Sequence, residues 1–414
     1  MKFISINIIL NLLIIFQCHG KSINNEFIKI KEAHNYFCPL LFKTELFNLD
    51  NKWFSITKTK NIHKYKNKQS NQNITIKIFY RFKNINKLIF NFFDENKRPY
   101  IEIRTNKNCL LKNVRKIIYS KNNISNEIQT INLKSNVIEN HKYLNPEIPV
   151  LKYKFDKNMV ALIDTGVNYT LKKLNKSIAV KNNEIVGYDF WDNDKRPFDS
   201  DPRQNPFYPR HHGTTVFSVI ANEAPDTPIA IYRFPALSMC KFENMIEHIH
   251  QNAIRLVNIS MGSNTQNDWL CFKRAAMKYN HIIFVVSAGN NGFDIDKNLI
   301  YPASFDLKNI ITVTSSDQNG RLGRGSNYGK KSVDFMIPAE RVQVTDHRGI
   351  KSFTGGTSYA APRLTAMISR YLNKNPNKSV QDVIDVLKNR SIKTNQGLTK
   401  YGWIPDPLDN YLFN

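Results

Sequence analysis

The pattern of apolar and polar positions divides the chain into two regions. Up to about residue 145, short runs rich in Ile, Phe and Tyr are separated by clusters of Asn and Lys. Runs of this length and composition are typical of β-strands. They predict strands over Ile74–Phe82, Lys87–Phe93 and Tyr100–Arg104, and a strand or short helix over Leu111–Ser120. We therefore expect residues 21–145 to form a smaller β-rich or α+β domain.

From about residue 156, short runs dense in Val and Ile alternate with helical stretches. In the helical stretch Lys241–Ile254, the apolar side chains fall on one face, and a second helix is expected over Asp268–Tyr279. This alternation is typical of an α/β domain with a mostly parallel sheet that has helices on both sides. We assign this domain to residues 146–414. The buried strands that the pattern predicts are Met159–Ile163, Pro228–Tyr232, Arg255–Ile259, Ile282–Ser287 and Ile310–Thr314.

The first twenty residues indicate export. Lys2 precedes an uncharged, mostly apolar run from Phe3 to Phe16. A short cationic start followed by such a run is typical of a signal peptide, so we expect residues 1–20 to be removed and the protein to be secreted. A membrane anchor is the alternative, but the run is short for a bilayer span, and Asn7 and Asn11 interrupt it. No second run of spanning length follows, so no stable membrane span is expected.

The chain is strongly basic, with a formal net charge of +25. Residues 1–150 hold 25 basic and 10 acidic residues, or +15, which leaves +10 for the rest of the chain. We interpret the excess as compositional drift and solvated surface, because Lys and Asn are abundant throughout the sequence. A front region that binds anions is the alternative. Zinc-type Cys/His spacing and RNA-binding signatures are absent from the sequence, so no nucleic-acid partner is expected.

Four cysteines, Cys38, Cys109, Cys240 and Cys271, would remain after removal of residues 1–20. An even number in an exported chain permits two disulfides. The simplest of the three possible pairings joins Cys38 with Cys109 and Cys240 with Cys271. Buried free thiols are the alternative.

Three residues with catalytic chemistry lie at the ends of predicted elements. Asp164 ends a buried strand and is followed by Thr-Gly, which allows a sharp turn. His212 precedes an apolar helical run, and a helix start favours the neutral imidazole that a general base needs. Ser358 follows two glycines and opens a helix expected to reach Leu372. Each residue alone also has a structural explanation, as a turn residue, a structural histidine or a helix cap.

A fourth residue, Asn290, follows a buried strand within Ser-Ala-Gly-Asn-Asn-Gly. It is either part of a Gly/Asn turn or an amide donor that faces a developing oxyanion. The order and spacing are more specific than any single residue. His212 lies 48 residues after Asp164 (212 − 164), Ser358 lies 146 after His212 (358 − 212), and Asn290 lies 68 before Ser358 (358 − 290).

On these residues and their surroundings, residues 156–414 resemble the subtilisin-like serine proteases (subtilases), which share the Asp-His-Ser order. The resemblance implies that Ser358 is the nucleophile, His212 the general base and Asp164 the residue that orients the imidazole. It also implies that Asn290 belongs to the oxyanion site. The motifs that carry it are Val160-Ala-Leu-Ile-Asp164-Thr-Gly, His212-Gly-Thr, Val257-Asn-Ile-Ser260-Met-Gly262, Val286-Ser-Ala-Gly-Asn290, Tyr301-Pro-Ala, Ser326-Asn-Tyr-Gly329 and Gly356-Thr-Ser358-Tyr-Ala-Ala-Pro362.

The resemblance further implies a site for protein or peptide substrates. Ser260, Met261, Gly262, Ala288 and Gly289 would line the pocket for the residue before the cut. The family commonly has an inhibitory prodomain that is later cut off. Residues 21–145 do not show that pattern clearly, so they are either a divergent prodomain that acts as an intramolecular inhibitor or an accessory domain that stays attached.

The chain departs from the family pattern in two further places. Thr215, Phe217 and Ser218 stand where the family usually has a second histidine and small residues, and the segment before Asp164 is short.

The chemistry requires no cofactor, but the carboxylates ahead of His212 could bind a structural calcium ion, or they form a solvated loop. These carboxylates are Asp189, Asp192, Asp194, Asp199 and Asp201.

The function predicted from the sequence is therefore that of a secreted serine endopeptidase. The side chains that the chemistry needs are all present, namely Asp164, His212, Ser358 and Asn290. We therefore favour this prediction over that of a catalytically silent module that binds peptides or partners. A secreted protein that binds anions through its basic front region is a further alternative.

Overall fold

A computed structural model of the protein describes residues 31–38, 41, 53–70, 72–132, 137–151, 158–235, 238–394 and 397–408. The predicted signal peptide, residues 1–20, lies outside the described residues. The chain divides into two compact units. The N-terminal unit consists of residues 1–144 with residues 205–208, and the C-terminal unit consists of residues 145–204 and 209–414.

The N-terminal unit contains an antiparallel sheet of eight strands that follow one another in chain order. Its buried face includes Ile74, Ile76, Phe90 and Phe92, and it packs against Phe37 of a helix over residues 31–38 (α1). Alternate apolar residues point to this core, as expected for a sheet with one buried face. The strands are β1 (Trp53–Lys58), β2 (Ile62–Asn67), β3 (Asn73–Arg81), β4 (Asn84–Phe93), β5 (Pro99–Thr105), β6 (Leu111–Tyr119), β7 (Ser125–Asn132) and β8 (Val137–Tyr143).

The C-terminal unit contains a parallel sheet of eight strands, in the order β12 (Gly187–Asp189), β13 (Ile229–Arg233), β9 (Val160–Asp164), β14 (Leu256–Ile259), β15 (Ile283–Ser287), β16 (Ile310–Ser316), β17 (Phe335–Pro338) and β20 (Gly402–Trp403). The strands β9, β13, β14 and β15 are fully buried, which explains their continuous apolar sequences. Two small hairpins pair β10 (Val180–Lys181) with β11 (Glu184–Ile185), and β18 (Val342–Thr345) with β19 (Lys351–Thr354).

Helices cover both faces of this sheet. One core contains residues of the helices over Gly213–Glu223, Thr357–Lys374 and Val380–Arg390, and the other contains residues of the helices over Lys241–Gln251 and Leu270–Lys278. None of the helices within the described residues is long and apolar enough to cross a membrane. The helices are α2 (Lys172–Asn175), α3 (Gly213–Glu223), α4 (Lys241–Gln251), α5 (Leu270–Lys278), α6 (Thr357–Lys374) and α7 (Val380–Arg390), with a 3₁₀ turn over Gln266–Trp269.

The predicted fold class is confirmed. A parallel eight-stranded sheet with helices follows an antiparallel β-rich unit. The sequence pattern allowed either a strand or a short helix over Leu111–Ser120, and the structure has a strand over Leu111–Tyr119. Both of the simplest cysteine pairings are present as disulfides, Cys38–Cys109 in the N-terminal unit and Cys240–Cys271 in the C-terminal unit.

The strand order determines where a site can form. The strand β9 lies between β13 and β14, which follow it in sequence on opposite sides. The loops after β9 and β14 therefore leave the sheet in different directions and open a crevice at the carboxyl ends of the strands. Asp164 is the last residue of β9, and Ser260 follows directly after β14.

Candidate active site

Asp164 and His212 form a hydrogen-bonded pair at the carboxyl edge of the parallel sheet. Asp164 is fully buried at the end of β9, and His212 is the N-cap residue of α3. The imidazole Nδ1 lies 2.8 Å from Asp164 Oδ1 and 3.0 Å from Oδ2. This contact fixes the tautomer with the proton on Nδ1, which leaves Nε2 as the basic nitrogen.

A second buried carboxylate holds the histidine segment in place. Asp199 Oδ1 accepts from the Thr165 hydroxyl at 2.6 Å and from the backbone N–H of His212 at 3.2 Å. Its Oδ2 accepts from the backbone N–H and the hydroxyl of Thr214 at 3.0 and 2.5 Å. The Thr165 hydroxyl also accepts from the Gly213 N–H at 2.8 Å. Two backbone N–H groups of the helix start and two threonine hydroxyls thus donate to one carboxylate.

The pKa values of this group follow from the surrounding charges. Burial lowers the pKa of His212, but the charge and hydrogen bond of Asp164, together with the charges of Asp199 and Asp201, raise it above its ordinary value of 6.5. The carboxylates therefore outweigh the effect of burial, which alone favours the neutral ring. Burial raises the pKa of Asp199, but its interaction with His347, 3.6 Å away, and the charge of His211 hold it below the usual range.

Ser358 is the second residue of α6, which packs beside the start of α3. The ring of the next residue, Tyr359, lies 6.1 Å from the His212 ring, and its hydroxyl lies 3.3 Å from Thr215 Oγ1. The Ser358 hydroxyl donates to the Ser260 carbonyl at 3.4 Å. Among the hydrogen bonds of the described residues, none joins Ser358 to His212. Transfer of the hydroxyl proton to the imidazole therefore requires Oγ to leave this carbonyl, and such catalytic contacts are often long without substrate.

Asn290 is held against the start of α6. Its Oδ1 accepts from the backbone N–H and the hydroxyl of Thr357 at 3.0 and 3.1 Å, so its amide nitrogen remains available to other acceptors. Gly356, with φ of 118°, passes so close that a Cβ there would lie 3.0 Å from Asn290 Oδ1. The turn also depends on Asn327, whose side chain bonds the Ala288 carbonyl and the N–H groups of Asn291 and Phe293.

A cleft of about 660 Å³ lies beside Ser358 and Asn290. Four of the five residues predicted for substrate binding line it, namely Ser260, Met261, Gly262 and Gly289. The fifth, Ala288, is fully buried in the core beneath. All lining residues are uncharged. The others are Ser263, Asn264, Ser287, Asn291, Phe293, Asn298, Leu299 and Ile300.

The carboxylates ahead of His212, which the sequence analysis considered for calcium, are hydrogen-bonded to protein donors. Arg233 lies between Asp189 and Asp192, at 2.8 and 2.5 Å, and Arg203 pairs with Asp201 at 2.8 Å. Asp194 accepts from the Asn145 amide at 2.7 Å, and Asp199 faces the threonines. Across the described residues, no three of these five carboxylates form a group that could hold one ion. Protein donors thus occupy the oxygens that calcium would need.

Asp199, His211 and His347 could bring one ligand atom each within 4.8 Å of the others. The two imidazole rings stack in parallel with centroids 3.6 Å apart and an interplanar angle of 12°. Lone pairs in parallel stacked rings run side by side and do not converge on one ion, and the Asp199 oxygens already accept four hydrogen bonds. His34, Cys38 and Cys109 also lie close together, but the two cysteines form a disulfide and offer no thiolate.

Sequence reasoning missed the residues that position the Asp164–His212 pair. Asp199 was recognised only as a calcium candidate, and Thr165, Thr214 and Asn327 were given no role. The signal for Asp199 was its place in a short acidic run next to His212. Nothing in the local pattern indicates which carboxylate of that run is buried against Thr165.

Comparison with known proteins places residues 156–403 in one family. A family model described as "Subtilase family" (Peptidase_S8) matches this range. The "Thermophilic serine proteinase" of Bacillus sp. (strain AK1) is 30% identical over 225 residues, which cover 50% of this chain and 50% of that protein. The "Subtilisin-like protease 2" of Plasmodium falciparum (isolate 3D7) is 29% identical over 238 residues, which cover 50% of this chain and 17% of that protein.

The chain thus spans half or less of the length of these curated relatives. Among solved structures, the fold is similar to that of a lanthipeptide protease, with a TM-score of 0.50 and 20% identity. The match covers 60% of this chain and 85% of that one. At this identity, the likeness concerns the fold alone.

Proposed function

The chain belongs to the subtilase family of serine proteases, and from this premise we propose that it is a secreted endopeptidase that uses Ser358, His212 and Asp164. The observation that carries the proposal is the contact of His212 Nδ1 with both oxygens of the Asp164 carboxylate, at 2.8 and 3.0 Å. An imidazole so oriented has its basic nitrogen free for a nucleophile. The hydroxyl of Ser358, at the start of the neighbouring helix, is that nucleophile in our proposal.

The reaction begins when the Ser358 oxygen attacks the scissile carbonyl and its proton passes to His212 Nε2. The negative charge moves to the former carbonyl oxygen, and the buried Asp164 carboxylate stabilises the imidazolium. His212 then donates the proton to the leaving amine, which gives an acyl-enzyme on Ser358. Water, deprotonated by His212, attacks the ester carbonyl and regenerates the hydroxyl.

Two donors are available for the oxyanion. Thr357 holds the Oδ1 of Asn290, which leaves the amide nitrogen to donate, and the N–H of Ser358 at the start of α6 is the second donor. Donors fixed before the reaction stabilise the developing charge without reorganisation. Neither donor requires a metal or an organic cofactor.

The substrates that we propose are proteins and peptides. An extended segment would pair its backbone with residues 260–262 as an added strand and place one side chain in the 660 Å³ cleft. Residues 21–145 would act first as an intramolecular inhibitor or remain as an accessory domain. Export would follow from the N-terminal apolar segment.

A fluorophosphonate probe tests the proposal, because it forms an Oγ–P bond with an activated serine and releases fluoride. We expect the folded, exported protein to be labelled and to cleave an unstructured protein such as casein. Both activities should be lost in Ser358→Ala and His212→Ala, but not in the control Ser332→Ala, whose side chain lies outside the cleft. Absence of labelling in correctly folded, processed protein would favour a catalytically silent module.

A further inference from the structure

The two ends of the sheet in the N-terminal unit carry different loops. Because consecutive strands run antiparallel, the β1–β2, β3–β4 and β5–β6 loops emerge at one end, and the β2–β3, β4–β5 and β6–β7 loops at the other. We call the first end, formed by residues 58–62, 80–84 and 106–110 with Ile56, the tip surface.

The tip surface exposes large apolar side chains. Phe82 is 94% exposed at the β3–β4 turn, where its backbone has a positive φ of 56°. Leu110 is 62% exposed in the β5–β6 loop, and Ile56 is 54% exposed near the end of β1. Among the described residues, the loops at the opposite end contribute none of the exposed large apolar side chains of the protein. Tyr143, the last residue of β8, is 59% exposed at that end, so the apolar exposure is concentrated in the tip loops rather than confined to one end. A concentration of exposed apolar side chains on neighbouring loops is typical of an interaction site.

Cations surround these apolar residues. Lys58 and Lys60 flank the β1–β2 turn, and Arg81 and Lys83 flank Phe82 on both sides. Lys107 lies in the same loop as Leu110. Residues 51–93 and 103–126 contain no Asp or Glu at all, whereas the β4–β5 loop at the other end contains Asp94 and Glu95. The tip surface is therefore uniformly basic as well as apolar.

The loops of the tip surface are fixed by local bonds. The Tyr80 hydroxyl donates to the Lys60 carbonyl at 3.1 Å, and the Ile78 N–H donates to the Asn61 carbonyl at 2.8 Å. The Cys38–Cys109 disulfide ties the third loop to α1, and His34 Nε2 lies 2.8 Å from the Cys109 carbonyl. The exposed side chains are thus held ready for binding, so little conformational entropy is lost when a partner is bound.

We propose that the tip surface docks on membranes that contain anionic phospholipids. Phe82 and Leu110 insert into the interfacial region, and the surrounding Lys and Arg side chains bind the headgroups while their aliphatic stems cover apolar surface. This inference does not depend on the proposed proteolytic activity. The tip surface would thus give the basic residues of the front region a defined partner, an anionic membrane.

The geometry favours a lipid surface over a nucleic acid. Single-stranded nucleic acids bind to aromatic rings that lie flat along a groove. Phe82 instead projects from a turn, and the ring of Phe79 on the sheet is covered by the Lys87 ammonium, 4.5 Å from its centroid. A projecting aromatic residue between two cations fits insertion below the headgroups.

Co-sedimentation with vesicles tests the proposal, using the full chain with Ser358→Ala in every sample to prevent self-digestion. We expect binding to vesicles of phosphatidylcholine and phosphatidylserine, weak binding to phosphatidylcholine alone, and loss of binding at high salt. Phe82→Asn, which tolerates the positive φ, should weaken binding about tenfold. The triple variant K60Q/R81Q/K83Q should weaken it on the order of a hundredfold.

Matched controls distinguish the tip surface from general charge and hydrophobicity. The triple variant K68Q/K97Q/K121Q removes the same charge from the opposite end. Phe353→Ser removes a 58% exposed ring, also close to an arginine, from the C-terminal unit. Both controls should bind as the parent does. Equal losses in the control and tip variants would overturn the proposal.

A local probe separates this surface from the apolar N-terminal segment, which could itself bind lipid. An environment-sensitive dye on Asn84→Cys, beside Phe82, should shift to the blue with anionic vesicles. The same dye on Asn122→Cys, at the opposite end, should not shift. A dye that stays in water at both positions while the protein sediments would refute the proposal, as would binding of a labelled oligonucleotide without binding of vesicles.

Discussion

The Thr165 hydroxyl donates to the buried carboxylate of Asp199 at 2.6 Å, and this bond connects the turn after Asp164 to the start of the His212 helix. The same hydroxyl accepts from the N–H of Gly213, so Thr165 cannot shift without moving the histidine segment. Asp199 acts through these bonds and is too deeply buried to touch a substrate. We regard it as a positioning residue.

We expect Asp199→Asn to lower kcat more than it changes KM, because the amide cannot accept all four hydrogen bonds and His212 loses its alignment. Leaving buried donors unpaired costs about 1–3 kcal/mol, which should also lower the thermal stability. Loss of the Asp199 charge should move the acidic limb of the pH–rate profile to lower pH, because that charge raises the pKa of His212. Peptide hydrolysis across pH and calorimetry measure these effects.

The matched control is Asp201→Asn. Its charge also raises the pKa of His212, but its side chain bonds Arg203 at the surface. This variant should shift the acidic limb slightly and leave the limiting kcat unchanged. Equal kcat values for Asp199→Asn and the parent protein would contradict a positioning role.

The raised pKa of His212 predicts the pH dependence of the unmodified enzyme. A general base must be neutral, so kcat/KM should rise with pH along a limb whose midpoint lies above 6.5. In folding, the paired imidazolium stabilises the protein fully below the pKa of the unfolded state, and this contribution is lost as the pH rises through the raised folded pKa. Asp164→Asn should lower the midpoint and reduce kcat by about 10⁴-fold, as in other triads. An unchanged midpoint would show that Asp164 does not set this pKa.

Much of the fold could be predicted from local pattern. The strands β9, β13, β14 and β15 are continuous Val- and Ile-rich segments buried on both sides, so their sequence alone indicated them. The strands β1, β2, β7 and β8 were not predicted, and polar residues of several types dominate Ile62–Asn67 and Ser125–Asn132. Those strands form through pairing with neighbours, a long-range effect that a local pattern does not contain.

The site could be predicted only in part, for a similar reason. Asp164, His212, Asn290 and Ser358 each follow a strand or open a helix, and their order along the chain was informative. Asp199 differs from its four acidic neighbours only in being buried against Thr165. Which carboxylates meet Arg233 likewise depends on the register of β12 beside β13, which brings Asp189 opposite Arg233.

The amide of Asn290 should be required in the transition state. Asn290→Ala should lower kcat by about 10²–10³-fold, the range found when this donor is removed in subtilisin, with little change in KM. Asn290→Asp keeps an acceptor for the Thr357 N–H but replaces the amide donor, so it should be equally impaired. Full activity in Asn290→Asp would show that Asn290 only caps α6. Ser332→Ala, whose side chain lies outside the cleft, serves as the kinetic control.

The uncharged lining of the cleft predicts the preference at the cleavage site. Burying an unpaired charge is costly, so peptides with an uncharged residue before the cut should be cleaved at least about tenfold faster than those with Asp, Glu, Lys or Arg. A peptide library with mass-spectrometric detection of the products measures this. Asn298→Asp should selectively improve cleavage after Lys and Arg. A wild-type preference for acidic residues would contradict the placement of the substrate in this cleft.

We expect the positive charge of the buried Arg233 guanidinium, and not a metal ion, to neutralise the carboxylates of Asp189 and Asp192. The Arg233 side chain is 4% exposed, bonds Asp189 and Asp192, and donates to the Ser200 carbonyl at 2.8 and 3.1 Å. Removal of one partner from a buried pair leaves an uncompensated charge, so Arg233→Met should destabilise the protein by about 3–5 kcal/mol. Lys195→Met, which breaks an exposed pair with Glu184, should cost less than about 1 kcal/mol. Thermal unfolding with EDTA or calcium checks the same point, since any effect of calcium on the Tm should be equal in the unmodified protein and in Asp192→Asn. A stabilisation by calcium that is lost in Asp192→Asn would show that these carboxylates bind the ion despite their protein donors.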